Sequence, residues 1–188
     1  MLIGVLAIQG GFLEHLKALQ KCGVNSVEVR NKKDLAGCSA LIIPGGESTT
    51  ISRLLSESGL GKEIKKRVRK GMPVYGTCAG AILISKKVIG EKRFKPLGLI
   101  DIEVARNAYG RQIDSFEAKL EIKGFEKPLN SVFIRAPIIC KAGKKVEVLA
   151  RCGNEIVLAR QKNILVSTFH PELGDDLRIH GFFLSFCR

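Results

Sequence analysis

Two hydrophobic rhythms divide the chain. In its first half, short continuous apolar runs at residues 2–8 and 40–43 and a strand-like stretch at 26–30 alternate with segments of helical spacing. Phe12, Leu16 and Leu19 mark one such helix, residues 49–56 a second, and Leu60, Ile64 and Val68 a third within 60–70. Another short apolar strand precedes Gly76, and residues 81–85 read again as helix. Continuous apolar strands that alternate with amphipathic helices predict a parallel sheet covered on both faces. Period two takes over in the second half. Ile100, Ile102 and Val104 alternate with Asp101, Glu103 and Ala105, and Phe116, Ala118, Leu120 and Ile122 with Glu117, Lys119, Glu121 and Lys123. These predict half-buried strands, added in antiparallel fashion. Short strands follow at 132–135, 146–150, 155–160 and 164–169, with a final helix over about 175–186. The expected fold is α/β: a flavodoxin-like, open, mostly parallel sheet with helices on both faces and added antiparallel strands.

The 188 residues hold no internal repeat, low-complexity tract or linker, and suit one core rather than two, so a single domain over 1–188 is expected. Hydrophobic residues at 45% and charged residues at 26% exclude disordered and fibrous classes. The first apolar run has no basic segment before it or small-residue cleavage site after it, and is too short to span a bilayer; a cytoplasmic protein without membrane attachment is expected. Six cysteines form no C-x-x-C pair and no Cys/His cluster at metal spacing, so no metal is expected, and five of them read as buried small hydrophobes in a reducing compartment. The net charge of +13 raises nucleic acid as a partner. Against it, the densest cationic run surrounds the Leu60, Ile64, Val68 stripe as a solvated helix face, and the chain has no Trp and two Tyr with which to stack bases. No nucleic-acid partner is expected; solubility or an acidic protein surface accounts for the charge.

Candidate chemistry begins at Gly76-Thr-Cys78-Ala-Gly80, between the short strand and its helix. A nucleophile on such an elbow takes a strained backbone, and small neighbours let strand and helix approach. The helix that opens at Ala79 turns its positive end toward the sulfur, which favours thiolate. A thiol nucleophile needs a base and the base an orienting group. His170 follows the strand at 164–169, and in extended chain Glu172 shares its face with Pro171 stiffening the spacer, so Cys78, His170 and Glu172 compose a triad on the carboxyl edge of the sheet. The alternative reading of His170 is a buried imidazole bonded to Glu172 for structural reasons alone. His15 and His180, neither of which follows a strand, read as surface or packing residues.

The loop Pro44-Gly-Gly-Glu-Ser-Thr49 completes the set. Its glycines permit close backbone approach, and the amides of Gly46 and Ala79 together suit an oxyanion hole. Equally, Ser48 or Thr49 suits the N-cap of the next helix. A phosphate cradle is excluded, because Gly-x-x-x-x-Gly-Lys is missing.

Together these pieces resemble the triad-type (class I) glutamine amidotransferases. Gly4-Val-Leu-Ala-Ile-Gln-Gly10 with Glu14-His15, Arg106-Asn-Ala-Tyr-Gly-Arg-Gln112 with Ser115-Phe116, Phe133-Ile-Arg-Ala-Pro137 and Phe169-His-Pro-Glu-Leu173 resemble, more narrowly, the glutaminase subunits of pyridoxal 5'-phosphate synthase. The motifs run in order over nearly the whole chain; Ile8 and Tyr109 are conservative departures. The resemblance implies hydrolysis of L-glutamine to glutamate and ammonia, with ammonia passed to a separate synthase subunit, and implies no cofactor. It implies Cys78 as nucleophile, His170 as base and acid, and Glu172 as orienting carboxylate. Gly46, Glu47, Ser48, Arg106, Ile134 and Arg135 then fall at glutamine-binding positions, and Gln9 at a residue near the synthase interface that helps set the oxyanion hole. Arginine suits glutamine's planar α-carboxylate and Glu47 its ammonium. A glutaminase serving another synthase, and a cysteine hydrolase of similar fold, are the alternative readings.

Overall fold

A computed structural model describes residues 1–106 and 115–187. Along the chain run β1 (Leu2–Leu6), α1 (Phe12–Lys21), β2 (Asn25–Val29), α2 (Lys32–Ala36), β3 (Ala40–Ile43), α3 (Ser48–Glu57), α4 (Leu60–Arg69), β4 (Val74–Thr77) and α5 (Ala79–Ile84). The remainder is strand-rich: β5 (Ser85–Val88), β6 (Ile100–Ala105), β7 (Ser115–Leu120), β8 (Leu129–Ile134), β9 (Ile138–Ala142), β10 (Glu147–Cys152), β11 (Glu155–Gln161) and β12 (Ile164–Ser167). A single 3₁₀ turn (Pro171–Leu173) and α6 (Arg178–Leu184) close the chain.

The main sheet has the order β2-β1-β3-β4-β12-β11-β9-β6-β5, with β10 on β11. Its first five strands are parallel and follow the flavodoxin-like pattern, with β12 in fifth place. Beyond β12 the pairing turns antiparallel through β11, β9 and β6, and β5 joins β6 in parallel. β7 and β8 stand apart as an antiparallel pair.

Helices cover both faces because their apolar stripes demand it. Leu60, Ile64 and Val68 of α4 are buried with Ile51 and Leu55 of α3 and the inward residues of β3 and β4 on one face. Leu19 of α1 and Ile179 and Phe183 of α6 pack with Ile3, Val5 and Tyr75 on the other.

Three elements depart from the sequence pattern. α2 is little more than one turn, closed by a capping box between Asn31 and Asp34. β5 begins where α5 ends, without an intervening turn: Ser85 caps the helix by bonding the Ile82 carbonyl and is itself the first strand residue. β9, with Ile139 as its buried residue, links the two antiparallel parts of the sheet. The cysteines are all free, but only Cys38 of the five non-elbow cysteines is fully buried, and Cys140 points outward from β9. No described helix is long and apolar enough to cross a membrane.

Candidate active site

Parallel pairing of β4 with β12 sets Thr77 opposite Ser167, so the residues following both strands emerge on one sheet edge. Cys78 is next after Thr77. Its backbone takes φ 49° and ψ −104°, a region that residues with a side chain avoid, and its amide is fixed to the Ser167 carbonyl at 2.9 Å. The small neighbours are sterically required: a Cβ on Gly76 would lie 2.7 Å from the Gly80 backbone, and one on Gly80 would strike the Ile43 carbonyl. The elbow thus pins the thiol at the start of α5, buried save for a small opening.

His170 comes from the segment after β12 and is anchored by its amide to the Val132 carbonyl of β8. Its Nδ1 meets Glu172 Oε1 at 2.7 Å, and its ring and Cys78 both border Gly45, whose added Cβ would lie 2.6 Å from His170 Cε1 and 3.5 Å from Cys78 Cβ. Burial works to lower the His170 pKa; the attraction of Cys78 and Glu172 outweighs it and raises it to about 10. Burial likewise opposes ionisation of Glu172, yet the pull of His15 and His170 where those rings are protonated, together with the His170 hydrogen bond, holds it below the usual carboxylate range. Cys78, His170 and Glu172 therefore emerge on one sheet edge, with the His170–Glu172 contact formed.

The loop from Pro44 runs between these residues and the loop after β1. A Cβ on Gly45 would lie 2.6 Å from His170 Cε1, and one on Gly46 would lie 2.5 Å from Gln9 Oε1. Gln9 Oε1 accepts the Glu47 amide at 2.8 Å, and the Gly11 amide donates to the Gly45 carbonyl. Gln9 is thus the side chain that fastens the loop. The N-cap of α3 is Glu47, not Ser48 or Thr49 as expected from residue type: its carboxylate takes both the amide and the hydroxyl of Thr49. Those hydrogen bonds, with lesser help from Arg106 and Arg93, hold Glu47 below its ordinary pKa. Ser48 turns inward and is buried.

Arg106 and Glu47 lie together, their side chains 3.3 Å apart. Arg106 also rests on Glu91, which takes the guanidinium of Arg93 in two contacts and is held down to about 2, chiefly by Arg93. Glu91 and Arg93 escaped the sequence reading, because the segment between β5 and β6 carries no motif. Ile134 presents its carbonyl to the Cys78 sulfur at 3.8 Å, and Arg135 has φ 45°, the second strained residue at this edge. Of the expected Arg106 to Gln112 segment, residues 107–112 lie outside the described residues.

His15 and His180, expected as surface or packing residues, are not on the surface: both are fully buried, His15 with its Nε2 3.4 Å from Glu172. Their signal is helical spacing. His15 falls one turn from Phe12 and Leu19, and His180 one turn from Phe183, so each lies on the covered stripe of its helix.

A strained cysteine elbow and a His-Glu pair on the switch-side edge of a doubly wound sheet define an α/β enzyme of the cysteine amidotransferase type. Residues 5–188 match the model of the SNO glutamine amidotransferase family, and the chain belongs to that family. It is 54% identical to pyridoxal 5'-phosphate synthase subunit PdxT of Pelotomaculum thermopropionicum, over all of this chain and 95% of that protein. With PdxT of Thermosipho africanus it shares 51% over 98% of both. A crystal structure of a glutamine amidotransferase superposes with TM-score 0.95 at 49% identity, covering 98% of each chain.

Proposed function

We propose that this chain is the glutaminase subunit of a pyridoxal 5'-phosphate synthase, acting in the cytoplasm as one domain. It hydrolyses L-glutamine to glutamate and ammonia and hands the ammonia to a synthase subunit. The observation that carries the reading is Cys78, strained on its elbow and brought with the His170 ring against Gly45, while Glu172 meets His170 Nδ1 at 2.7 Å. The family match and the PdxT relatives support the choice of substrate and partner.

With a pKa near 10, His170 is imidazolium at neutral pH and is ready to act as the acid of the first step. The Cys78 thiolate attacks the side-chain amide carbon of glutamine, and the electron pair of the carbonyl moves onto oxygen. The amides of Gly46 and Ala79 hold that oxyanion. His170 then gives its proton to the departing nitrogen, the C–N bond breaks, and ammonia leaves a thioester on Cys78. Neutral His170 next draws a proton from water as the hydroxyl oxygen bonds to the thioester carbon. The C–S bond breaks, glutamate departs, and the imidazolium–thiolate pair is restored. Arg106 and Arg135 receive the α-carboxylate, Glu47 the α-ammonium, and Gly46, Ser48 and Ile134 shape the slot. The Glu47–Arg106 contact must open to admit these charges between its partners.

The test measures glutamate release from L-glutamine by wild type and Cys78→Ala, each with and without a synthase subunit. Wild type should be weakly active alone and strongly activated by the partner, since the loop held by Gln9 contributes an oxyanion donor worth ~10²- to 10³-fold in rate. The alanine variant should be silent in both. Activity that survives in Cys78→Ala removes the nucleophile from its role, and equal turnover with and without the partner removes the gating.

A further inference from the structure

Glu172 has two carboxylate oxygens, and the triad uses one. Oε1 receives His170; Oε2 is buried and has no aligned hydrogen bond among the described residues. An ionised oxygen left dry and unpaired is costly. The polar atom recorded against it is His15 Nε2, at 3.4 Å, which also lies 3.1 Å from Thr77 Oγ1. His15 Nδ1 in turn meets His180 Nε2 at 3.1 Å, and His180 Nδ1 is buried with no hydrogen-bond partner among the described residues.

These contacts select one set of tautomers. Both rings are neutral, since burial lowers the pKa of His15 and that of His180 to about 4. Between His15 Nδ1 and His180 Nε2 only one can carry the hydrogen. Were it His15 Nδ1, the lone pair of His15 Nε2 would face the Glu172 carboxylate, and His180 Nδ1–H would be a buried donor without an acceptor. Were it His180 Nε2, His15 Nε2–H would donate to Thr77 Oγ1 with its positive hydrogen near Glu172, and the unpartnered atom of His180 would be a bare lone pair. The carboxylate at 3.4 Å decides for the second arrangement.

We propose that His15 is a positioning residue of the triad: its Nε2–H, fixed in that tautomer by His180 and hydrogen-bonded to Thr77, sets a positive N–H dipole 3.4 Å from the second oxygen of Glu172 and so ties that carboxylate to the strand that ends at Thr77, next to Cys78. The proposal rests on the glutaminase reading above. Thr77 makes the tie physical, because it contacts His15 and is covalently joined to the nucleophile. The chain Cys78, His170, Glu172, His15, His180 thus draws on four stretches: the β4–α5 elbow, the segment after β12, α1 and α6.

Two measurements test it. Ring nitrogen chemical shifts of the whole protein at neutral pH should show Nε2–H on both His15 and His180; a Nδ1–H tautomer at His15 overturns the proposal, whatever the enzyme's activity. Glutamate release with the synthase subunit present is then compared for His15→Gln, which can place an amide N–H near the ring Nε2–H, and for His15→Met, which cannot. The methionine variant should lose roughly tenfold to a hundredfold in kcat, as when a group orienting a reacting residue from behind is removed, with little change in KM. Its acid limb should move to higher pH, because Glu172 without the facing N–H dipole takes a proton more readily. The charged and titratable neighbours of His15 are Glu172 and His170 after β12, Tyr75 on β4, His180 on α6 and Glu14 on its own helix; of these, Glu172 loses the N–H dipole and His180 its hydrogen-bond partner in the variant. The glutamine variant should restore both kcat and the limb. Equal kcat and pH profile in wild type and His15→Met overturn the proposal, as does equal loss in the two variants; should methionine prevent folding, wild-type kcat with a Nδ1–H tautomer still does. A wild type that releases no glutamate refutes the glutaminase reading instead, with the tautomer still to be read.

Discussion

Gly45 has no side chain because the site leaves no room for one. A Cβ there would stand 2.6 Å from His170 Cε1 and 3.5 Å from Cys78 Cβ, so alanine must push the imidazole or the loop aside. Displacements near 1 Å at reacting groups cost about 10²-fold in rate. Gly45→Ala should therefore lower kcat about a hundredfold while its thermal midpoint stays close to wild type, read by glutamate release and circular dichroism. The contrast between this glycine and His15 shows what single residues disclose. Cys78, and His170 with Glu172, are legible because their relation to a strand end or to each other is set within two residues. The partner of Glu172's second oxygen comes from 157 positions earlier in the chain, and no local spacing encodes that meeting. Only the helical stripe through Phe12, His15 and Leu19 hints that position 15 turns inward.

At the scale of elements, the β7–β8 pair positions the site. Phe133 is fully buried between Phe116, stacked at 4.5 Å, and Phe169, tilted at 5.7 Å. On either side of it, Val132 holds the His170 amide and Ile134 faces the sulfur. Phe133→Ala should cost ~3–5 kcal/mol of stability, the range for emptying a buried aromatic site, and should lower kcat through the loosened His170 anchor. Denaturant midpoints and glutamate release check the two effects. β7 is expected from its alternating residues and β8 as a short strand at 132–135, whereas their separation from the main sheet is not, since a strand pattern reports a buried face and not which strand supplies the neighbour. β5 and α2 were invisible for another reason. The run from Ala81 to Val88 is apolar or helix-compatible through the switch at Ser85, and α2 buries only Leu35, too little for a period to register.

At the scale of the whole molecule, the parallel half of the sheet was the most legible feature, because buried parallel strands carry continuous apolar runs that few other structures need. The charge of +13 is distributed over exposed cations such as those of α4, so acidification adds protons to a chain that already repels itself. The interior responds in the same direction. His180, with a folded pKa of about 4 against an ordinary 6.5, binds its proton more readily when unfolded; its contribution is complete above 6.5 and is lost as pH falls toward 4. His15 is lowered likewise, and Glu172, also depressed, adds its loss below its ordinary 4.5 as pH falls through its folded value. His170 works the other way: its contribution is complete below 6.5 and fades only as pH climbs toward 10, so it does not offset the acid loss. His180 steepens the decline by up to about 1.4 kcal/mol per pH unit between 6.5 and 4, and His15 acts in the same direction. Stability from urea midpoints should accordingly fall steeply over that window. Added salt should recover the part due to surface repulsion, and His180→Phe should flatten the remaining slope whatever it does to the midpoint at pH 7. A slope unchanged in His180→Phe would mean that the buried ring is not what acid attacks.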